Sequence, residues 1–190
     1  MIDLPRIETK RLILRVPEPP DAAAMARFVT ENREHFAPWE PLHPPEYFTE
    51  AHWWETLEKS VDEARCGRSL RLVFFAAGDD GGKILGQCSF SGIARGPFQA
   101  AFVGYGLHHR EVGKGYMEEA LRGAIDYMFD ERRLHRIMAN YMPVNERSGR
   151  LLKKLGFTHE GYARDYLNIA GAWEDHILTS LVNRAWKAEG

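Results

Sequence analysis

Residues 100–129 read AAFVGYGLHHREVGKGYMEEALRGAIDYMF, and this stretch decides the fold. It begins with an apolar run, Ala100–Leu107, that predicts a β-strand. It ends with apolar side chains at helical spacing, which predict an amphipathic helix of at least three turns. These side chains belong to Met117, Ala120, Leu121, Ala124, Ile125, Met128 and Phe129. Residues 110–115, REVGKG, join the strand to the helix through a turn that contains two glycines.

A glycine-bearing turn at the start of a helix favours the binding of an anion. Glycine allows the backbone to approach a ligand closely, and the first N–H groups of a helix have no partner within it. The helix dipole adds positive charge at the same point, which suits a phosphate. Two common phosphate motifs are excluded. Residues 113–117, GKGYM, lack the serine or threonine of a P-loop, and His109 or Glu118 takes the third glycine position of a dinucleotide fingerprint. The pattern that remains is RxxGxG at residues 110–115.

Length, charge and cysteine content limit the classes of protein. The 190 residues fit a single domain, 1–190, and a net charge of −2 argues against a general nucleic-acid or membrane-surface binder. Cys66 and Cys88 have no CxxC or zinc spacing, so we expect reduced, buried thiols. No stretch resembles a signal peptide or a membrane span, and a cytoplasmic location is expected.

Patterning along the rest of the chain predicts one mixed α/β domain. Strands are predicted at residues 11–16, 70–76, 84–93, 100–107, 136–141, 158–167 and 173–181, and helices at 21–32, 49–64, 116–129 and 145–155. Residues 35–46 contain four prolines and are predicted to be irregular. We expect Trp53 and Trp54 to be buried on the second helix. The strand at 136–141 should run parallel to the strand at 100–107, because a helix connects them.

Several stretches resemble one family of enzymes. The RxxGxG turn at 110–115 resembles the pyrophosphate loop of the GCN5-related N-acetyltransferases, the GNAT family. Residues 145–157, NERSGRLLKKLGF, are similar to the N-x-x-S…LLxKLGF segment of the RimJ/RimL branch of that family. Further similarities to RimJ-type members lie at residues 31–33, 38–41, 90–91, 95–96, 135–143, 160–163 and 165–167. The resemblance extends from about residue 8 to residue 181.

The resemblance implies a fold, an activity and a partner. The GNAT-type fold is a mostly antiparallel mixed sheet flanked by helices, in the order β-α-α-β-β-β-α-β-α-β-β that is predicted above. GNAT enzymes transfer an acetyl group from acetyl-CoA to an amine, and RimJ-type members acetylate the N-terminal alanine of a small-subunit ribosomal protein. The implied partner is therefore a ribosomal protein N-terminus. No nucleic acid, membrane or metal partner is expected, and the chain is expected to be a monomer or a homodimer.

The resemblance also implies how acetyl-CoA would bind. Backbone N–H groups of residues 112–117 would hold the pyrophosphate, with Arg110 or Lys114 adding positive charge. The pantetheine amides would pair with the edge of the strand at residues 105–107, as an added strand would. The residues expected to contact the cofactor are Tyr105, Gly106, Leu107, Arg110, Val112, Gly113, Lys114, Gly115, Tyr116, Met117 and Asn145.

Direct acetyl transfer needs a neutral amine and a proton for the departing thiolate. Glu40 and Asp165 are candidate bases, because both lie among aromatic residues in the sequence. The resemblance places Ser148 beside the thioester as a proton donor and Asn145 as a positioning group. Asn145 is equally suited to be the N-cap of the last helix. A backbone N–H near Leu107 would stabilise the oxyanion.

The proline-rich residues 35–46 are predicted to wall the acceptor slot. The residues expected to contact the acceptor are Phe36, Trp39, Glu40, Tyr47, Phe90 and Tyr166. The same loop could instead be a lid over the core. His108 and His109 are adjacent in the sequence and should face opposite sides of a strand, so no shared metal is predicted.

Three functions remain open at this point. The first is acetylation of a protein N-terminus. The second is acetylation of a small amine or a drug by the same kind of enzyme, and the third is an acyl-CoA-binding, ribosome-associated protein with little turnover.

Overall fold

The computed structural model describes residues 3–79 and 81–187, which form one eight-stranded mixed sheet with helices on both faces. The strands are β1 Arg6–Glu8, β2 Leu12–Arg15, β3 Leu70–Ala76, β4 Gly86–Ala94, β5 Ala100–Leu107, β6 Arg136–Tyr141, β7 Thr158–Ile169 and β8 Ala172–Val182. Their order in the sheet is β1-β2-β3-β4-β5-β6-β8-β7. Every neighbouring pair is antiparallel except β5 and β6, which are parallel as expected.

Two groups of helices cover the two faces of the sheet. The helices are α1 Ala22–Glu31, α2 Arg33–Phe36, α3 Glu50–Arg65, α4 Tyr116–Asp130 and α5 Glu146–Lys154. Leu72 and Phe74 of β3 belong to a buried cluster with α4 and α5, whereas Val73 and Phe75 belong to a cluster with α1 and α3. Successive side chains of a strand point to opposite faces, so β3 contributes to both cores.

The predicted order of strands and longer helices is confirmed, with a short strand β1 and a short helix α2 in addition. Helix α3 begins after Thr49, whose side chain accepts a hydrogen bond from His52 N. Helix α5 is followed by Gly156 in the left-handed region (φ +92°), and Phe157 N donates to Leu152 O, as expected for a glycine stop.

Three expectations about burial and orientation were wrong. Trp53 is buried but Trp54 is 45% exposed, because adjacent helical residues point about 100° apart and one face of α3 meets the core. Cys88 is buried, whereas Cys66 lies exposed just beyond the end of α3. His108 and His109 follow β5 in a turn rather than a strand, and their rings stack with centroids 4.6 Å apart. Among the described residues, no group of side chains suits a metal ion.

Strands β5 and β6 part soon after they meet. Within the described residues their ladder covers only Ala100–Phe102 against Arg136–Met138. Beyond it, β5 continues to pair with β4 on its other side as far as Leu107. The second half of β5 therefore presents a free edge toward β6, and this gap is where the cleft opens.

Candidate active site

A cleft of about 650 Å³ lies in the gap between β5 and β6. At one end it is lined by Val112, Gly113, Gly115 and Met117, where α4 begins. In the middle it is lined by β5 residues Val103–Leu107 and by Asn145 and Ser148 at the start of α5. At the other end are Phe36, Trp39, Glu40, Asn140 and His176. The cleft thus extends from the turn at residues 110–115, where an anion is predicted to bind (the anion turn), to the proline-rich loop at residues 35–46.

The anion turn is open toward the cleft. Gly113 has φ +85° and Gly115 has φ +78°, and residues other than glycine rarely adopt these angles. A Cβ added at Gly113 would meet nothing within 4 Å. Among the described residues, no side chain caps the start of α4, so its first N–H groups are left to a ligand.

Arg11 fixes this turn from the other end of the chain, and sequence reasoning missed it. Its Nη1 donates to Lys114 O at 2.9 Å, its Nε lies 2.6 Å from Glu119 Oε2, and its guanidinium stands 4.6 Å from the centroid of the Tyr116 ring. Arg11 and Glu119 are 108 residues apart, so no local pattern indicates the contact.

The positive charges beside the cleft are not the ones that were predicted. Arg110 is exposed and does not line the cleft, and Lys114 points away to pair with Glu111 at 2.7 Å. Instead, α5 supplies Arg147, Arg150 and Lys154, which lie at i, i+3 and i+7 and share one helix face. That basic stripe was visible in the sequence. Tyr116 lies under Arg11 and does not line the cleft either.

The structure brings Tyr105, Asn145 and Ser148 together. The Tyr105 hydroxyl lies 2.7 Å from Ser148 Oγ, and burial raises the pKa of Tyr105 to about 12. The phenol therefore keeps its proton at neutral pH and can donate to Ser148. Asn145 Oδ1 accepts a hydrogen bond from Ser148 N at 3.1 Å, so Asn145 is the N-cap of α5 as well as a cleft residue. This hydroxyl pair can deliver a proton into the cleft.

Glu40 is the candidate base that lies in the cleft. Burial raises its pKa above the ordinary carboxyl value, partly offset by the charge and hydrogen bond of His43, whose Nε2 is 3.2 Å from Glu40 Oε2. The Glu40 carbonyl accepts a hydrogen bond from Ala170 N at 3.0 Å, which ties the proline-rich loop to the turn between β7 and β8. A carboxylate in this setting can both attract an ammonium and accept its proton.

Of the predicted acceptor residues, Phe36 and Trp39 line the cleft with Glu40, whereas the second candidate base and the remaining acceptor residues do not. Asp165 is exposed on β7, with its N–H donating to Asp175 Oδ1, and it does not line the cleft. Phe90 is fully buried in the core, and Tyr47 stacks on His43 behind Glu40 with ring centroids 3.7 Å apart. Tyr166 accepts a hydrogen bond from Asn140 Nδ2 at 3.1 Å.

Asn140 and His176 line the cleft in front of Tyr166, and sequence reasoning missed both. They lie on β6 and β8, which are separated in the sequence and become neighbours only when the sheet forms. Each residue by itself therefore looked like an ordinary strand residue.

The fold and this cleft define an acyltransferase of the GNAT type, and the comparison with known families agrees. Residues 11–158 match the model of the acetyltransferase (GNAT) domain, and the chain belongs to this family. Among the described residues, no helix is long and apolar enough to cross a membrane.

The relatives identify the branch within the family. The chain is 41% identical over 181 residues to the [ribosomal protein uS5]-alanine N-acetyltransferase of Escherichia coli (strain K12), covering 95% of this chain and 92% of that protein. The structure of ribosomal-protein-S5-alanine acetyltransferase from Vibrio fischeri superposes with a TM-score of 0.92 at 41% identity, covering 97% and 100% of the two chains. Mycobacterium smegmatis RimJ in complex with CoA-disulfide matches with a TM-score of 0.85 at 28% identity, covering 98% and 90%. The predicted similarity to RimJ is confirmed.

Proposed function

We propose that this protein is an acetyl-CoA-dependent N-acetyltransferase that modifies the N-terminal alanine of a small-subunit ribosomal protein, uS5 or its counterpart. The observation that carries the proposal is the continuous cleft from the open turn at Gly113 to the half-buried carboxyl group of Glu40. The diphosphate within the carrier is an anion, whereas the acceptor amine arrives as a cationic ammonium group. The start of α4 suits the diphosphate, and the carboxyl group of Glu40 suits the ammonium. A ribosomal acceptor implies that the protein acts in the cytoplasm.

The residues at the first end fit CoA. Open N–H groups at the start of α4, the conformational freedom of Gly113 and Gly115, and the basic stripe on α5 provide donors and charge for phosphates. The free edge of β5 provides main-chain partners for the amides of the pantetheine arm. When bound, acetyl-CoA would supply an acyl group as a thioester.

The residues at the second end would prepare the amine and finish the transfer. Glu40 accepts the proton of the acceptor ammonium, and the amine attacks the acyl carbon directly. Ser148 Oγ donates a proton to the leaving sulfur, and the Tyr105 hydroxyl, protonated at neutral pH, replaces it. The attacking nitrogen loses its second proton as the amide forms, and this proton restores Tyr105, so that the one net proton released is the one that Glu40 took and passes to solvent. A backbone N–H near Leu107 stabilises the oxyanion, a contribution of about 3 kcal/mol when such a donor is well aimed. Asn145 holds Ser148 in place by capping α5.

The basicity of the acceptor favours an α-amine over a lysine side chain. An α-amino group has a reference pKa of about 7.7–8.0 and a lysine amine about 10.4, so the neutral fraction of lysine at pH 7.5 is lower by more than two orders of magnitude. A single carboxyl base that relays one proton is sufficient for the α-amine.

The test is release of free CoA thiol from acetyl-CoA with peptides that begin with alanine, serine or threonine. We expect the uS5 N-terminal peptide to react fastest, and an N-terminally blocked, lysine-containing version to react at least 100-fold more slowly. Faster turnover with small amines than with any peptide would contradict the proposal, as would tight binding of acetyl-CoA without thiol release for any amine. Mass spectrometry of ribosomal proteins with and without the gene identifies the acceptor in the cell.

A further inference from the structure

A second cavity, of about 260 Å³, adjoins the catalytic cleft on the face of the sheet that α3 covers. Ser89 of β4 lines both cavities, so the two meet at this residue. Most of the residues that line the second cavity have polar side chains: besides Arg71 and Ser89, these are Thr56, Lys59, Ser60, Glu63, Ser69 and Ser91. Leu70 and Phe90 add apolar surface. Nothing in the acetyl transfer itself uses this cavity.

The residues where the two cavities meet are small. Ser89 and Ser91 are two residues apart on β4 and therefore face the same side of the sheet. Gly104 of β5 stands opposite Ser89 in the ladder, and a Cβ added at Gly104 would meet nothing within 4 Å. An acceptor peptide whose amine lies near Glu40 thus has space to extend past Ser89 and Gly104 toward the second cavity.

Arg71 brings a positive charge without a close ion pair to the wall of this cavity. Its Nη1 donates to Gln87 Oε1 at 3.0 Å, and its guanidinium stands 5.5 Å from the centroid of the Trp53 ring. Among the described residues, no carboxylate lies within 4.0 Å of it, since Glu63 accepts from Ser69 and Glu40 pairs with His43. Burial lowers the pKa of Arg71, and the nearby charges of Glu40 and Glu63 raise it. Arg71 is partly buried, and a cation withdrawn from water without a close ion pair is costly unless a ligand neutralises it.

We propose that the second cavity is a specificity subsite for the acceptor protein, in which Arg71, assisted by Lys59, binds an acidic side chain a few residues after the acetylated N-terminus. This inference rests on the proposed function, because it requires a peptide acceptor. It adds a second charge requirement to the acceptor: an ammonium at Glu40 and a carboxylate at Arg71. Lys59 is exposed on α3 at the cavity wall and increases the positive potential there. A guanidinium also binds a carboxylate through two parallel N–H groups, which gives geometric specificity.

The experiment uses the purified full chain, acetyl-CoA and hexapeptides that begin with alanine. One glutamate is placed at position 2, 3, 4 or 5 of an otherwise serine and glycine background, and each peptide has a glutamine twin. We expect one position at which glutamate lowers KM at least fivefold relative to glutamine, while kcat changes less than twofold. A preference carried by KM alone is the sign of a binding subsite rather than of a catalytic effect.

Variants then assign the preference to this cavity. Arg71→Gln and Lys59→Glu should each reduce the glutamate preference to below twofold while leaving KM for the glutamine peptide within about twofold. Because Arg71 is partly buried and bonded to Gln87, Arg71→Gln could affect folding, so the exposed Lys59→Glu serves as the second variant. Lys10→Glu is the matched control, since it makes the same charge change at an exposed residue that lines neither cavity.

The outcomes separate the two proposals. If the alanine peptides are acetylated but glutamate and glutamine twins have equal KM at every position, the subsite is wrong and the proposed function stands. If both cavity variants retain the full preference, the acidic residue binds elsewhere and the subsite is also wrong. If no peptide is acetylated, the proposed function fails and the subsite fails with it.

Discussion

At the scale of single residues, Asn145 has one side-chain atom engaged in the fold and another available to the cleft. Its Oδ1 caps α5 by accepting from Ser148 N, and the residue also lines the cleft, where Nδ2 can donate to a ligand. Aspartate caps helices as well as asparagine does, but an ionised aspartate has no donor. We therefore expect Asn145→Asp to leave Tm within about 2 °C and to lower kcat at least tenfold, measured by thermal unfolding and thiol release.

Asn145→Ala is the companion variant. Loss of the cap should lower the free energy of unfolding by about 1 kcal/mol, which is about 2–4 °C in Tm for a chain of this size. If Asn145→Asp has the kcat of the wild type, the residue is only a cap.

Glu40 should set the acid side of the pH profile. Because burial raises its pKa, Glu40 remains protonated to a higher pH than an ordinary carboxyl group, and it acts as a base only above that pKa. Below this pKa Glu40 must lose its own proton before it can accept that of the acceptor ammonium, so log kcat/KM should rise with a slope of one and level off above the pKa of Glu40. In Glu40→Gln the ammonium must lose its proton to solvent instead, so the rise should continue to the higher pKa of the acceptor amine.

We also expect Glu40→Gln to lower kcat/KM at pH 7 by about 10²-fold, the usual contribution of a general base. The measurement is kcat/KM against pH for one alanine peptide with both proteins. A Glu40→Gln profile that runs parallel to that of the wild type would remove Glu40 from the role of base.

At the scale of elements, the turn before α4 can be tested against a turn of the same conformation elsewhere. Gly113 (φ +85°) lies at the cleft, and Gly96 (φ +66°) lies in the turn between β4 and β5 and does not line it. An added Cβ has free space at both, so alanine costs mainly backbone strain, about 1 kcal/mol in each case. We expect Gly113→Ala and Gly96→Ala to lower Tm similarly.

Only Gly113→Ala should also weaken CoA binding, at least tenfold, because its methyl group would stand in the open turn that the phosphates need. Isothermal titration with CoA measures this difference. Equal affinities for the two variants would place the diphosphate somewhere other than this turn.

At the scale of the whole molecule, the cleft separates β5 and α4 on one side from β6 and α5 on the other, and a ligand in it contacts both sides. Binding to the folded state alone stabilises a protein by about 2.7 kcal/mol at a ligand concentration of 100 Kd. For a chain of this size that corresponds to a rise in Tm of about 5–10 °C. We expect CoA to produce such a shift in differential scanning fluorimetry, and Gly113→Ala to reduce it by about half or more at the same CoA concentration. A protein whose Tm does not respond to CoA would contradict the assignment of the cleft.

The sequence by itself determined the elements and the anion turn. The strands β3, β5 and β6 have the predicted bounds, Gly113 and Gly115 adopt the predicted backbone, and Asn145 caps α5. These features depend on residues a few positions apart: the period of apolar side chains, the freedom of glycine and the reach of a capping side chain. The family resemblance rested on the same local segments, and it was confirmed.

Only the tertiary structure decided which side chains share the cleft. It paired Tyr105 with Ser148, 43 residues away, and placed Glu40 in the cleft, while it left Asp165 at the surface and Phe90 in the core. All of these residues looked suitable from their neighbours in the sequence. Their positions depend on sheet order and on the point where β5 and β6 part, which bring distant segments together. Local patterns carry no information about such contacts, because a residue's neighbours along the chain fix its conformation but not what packs against it.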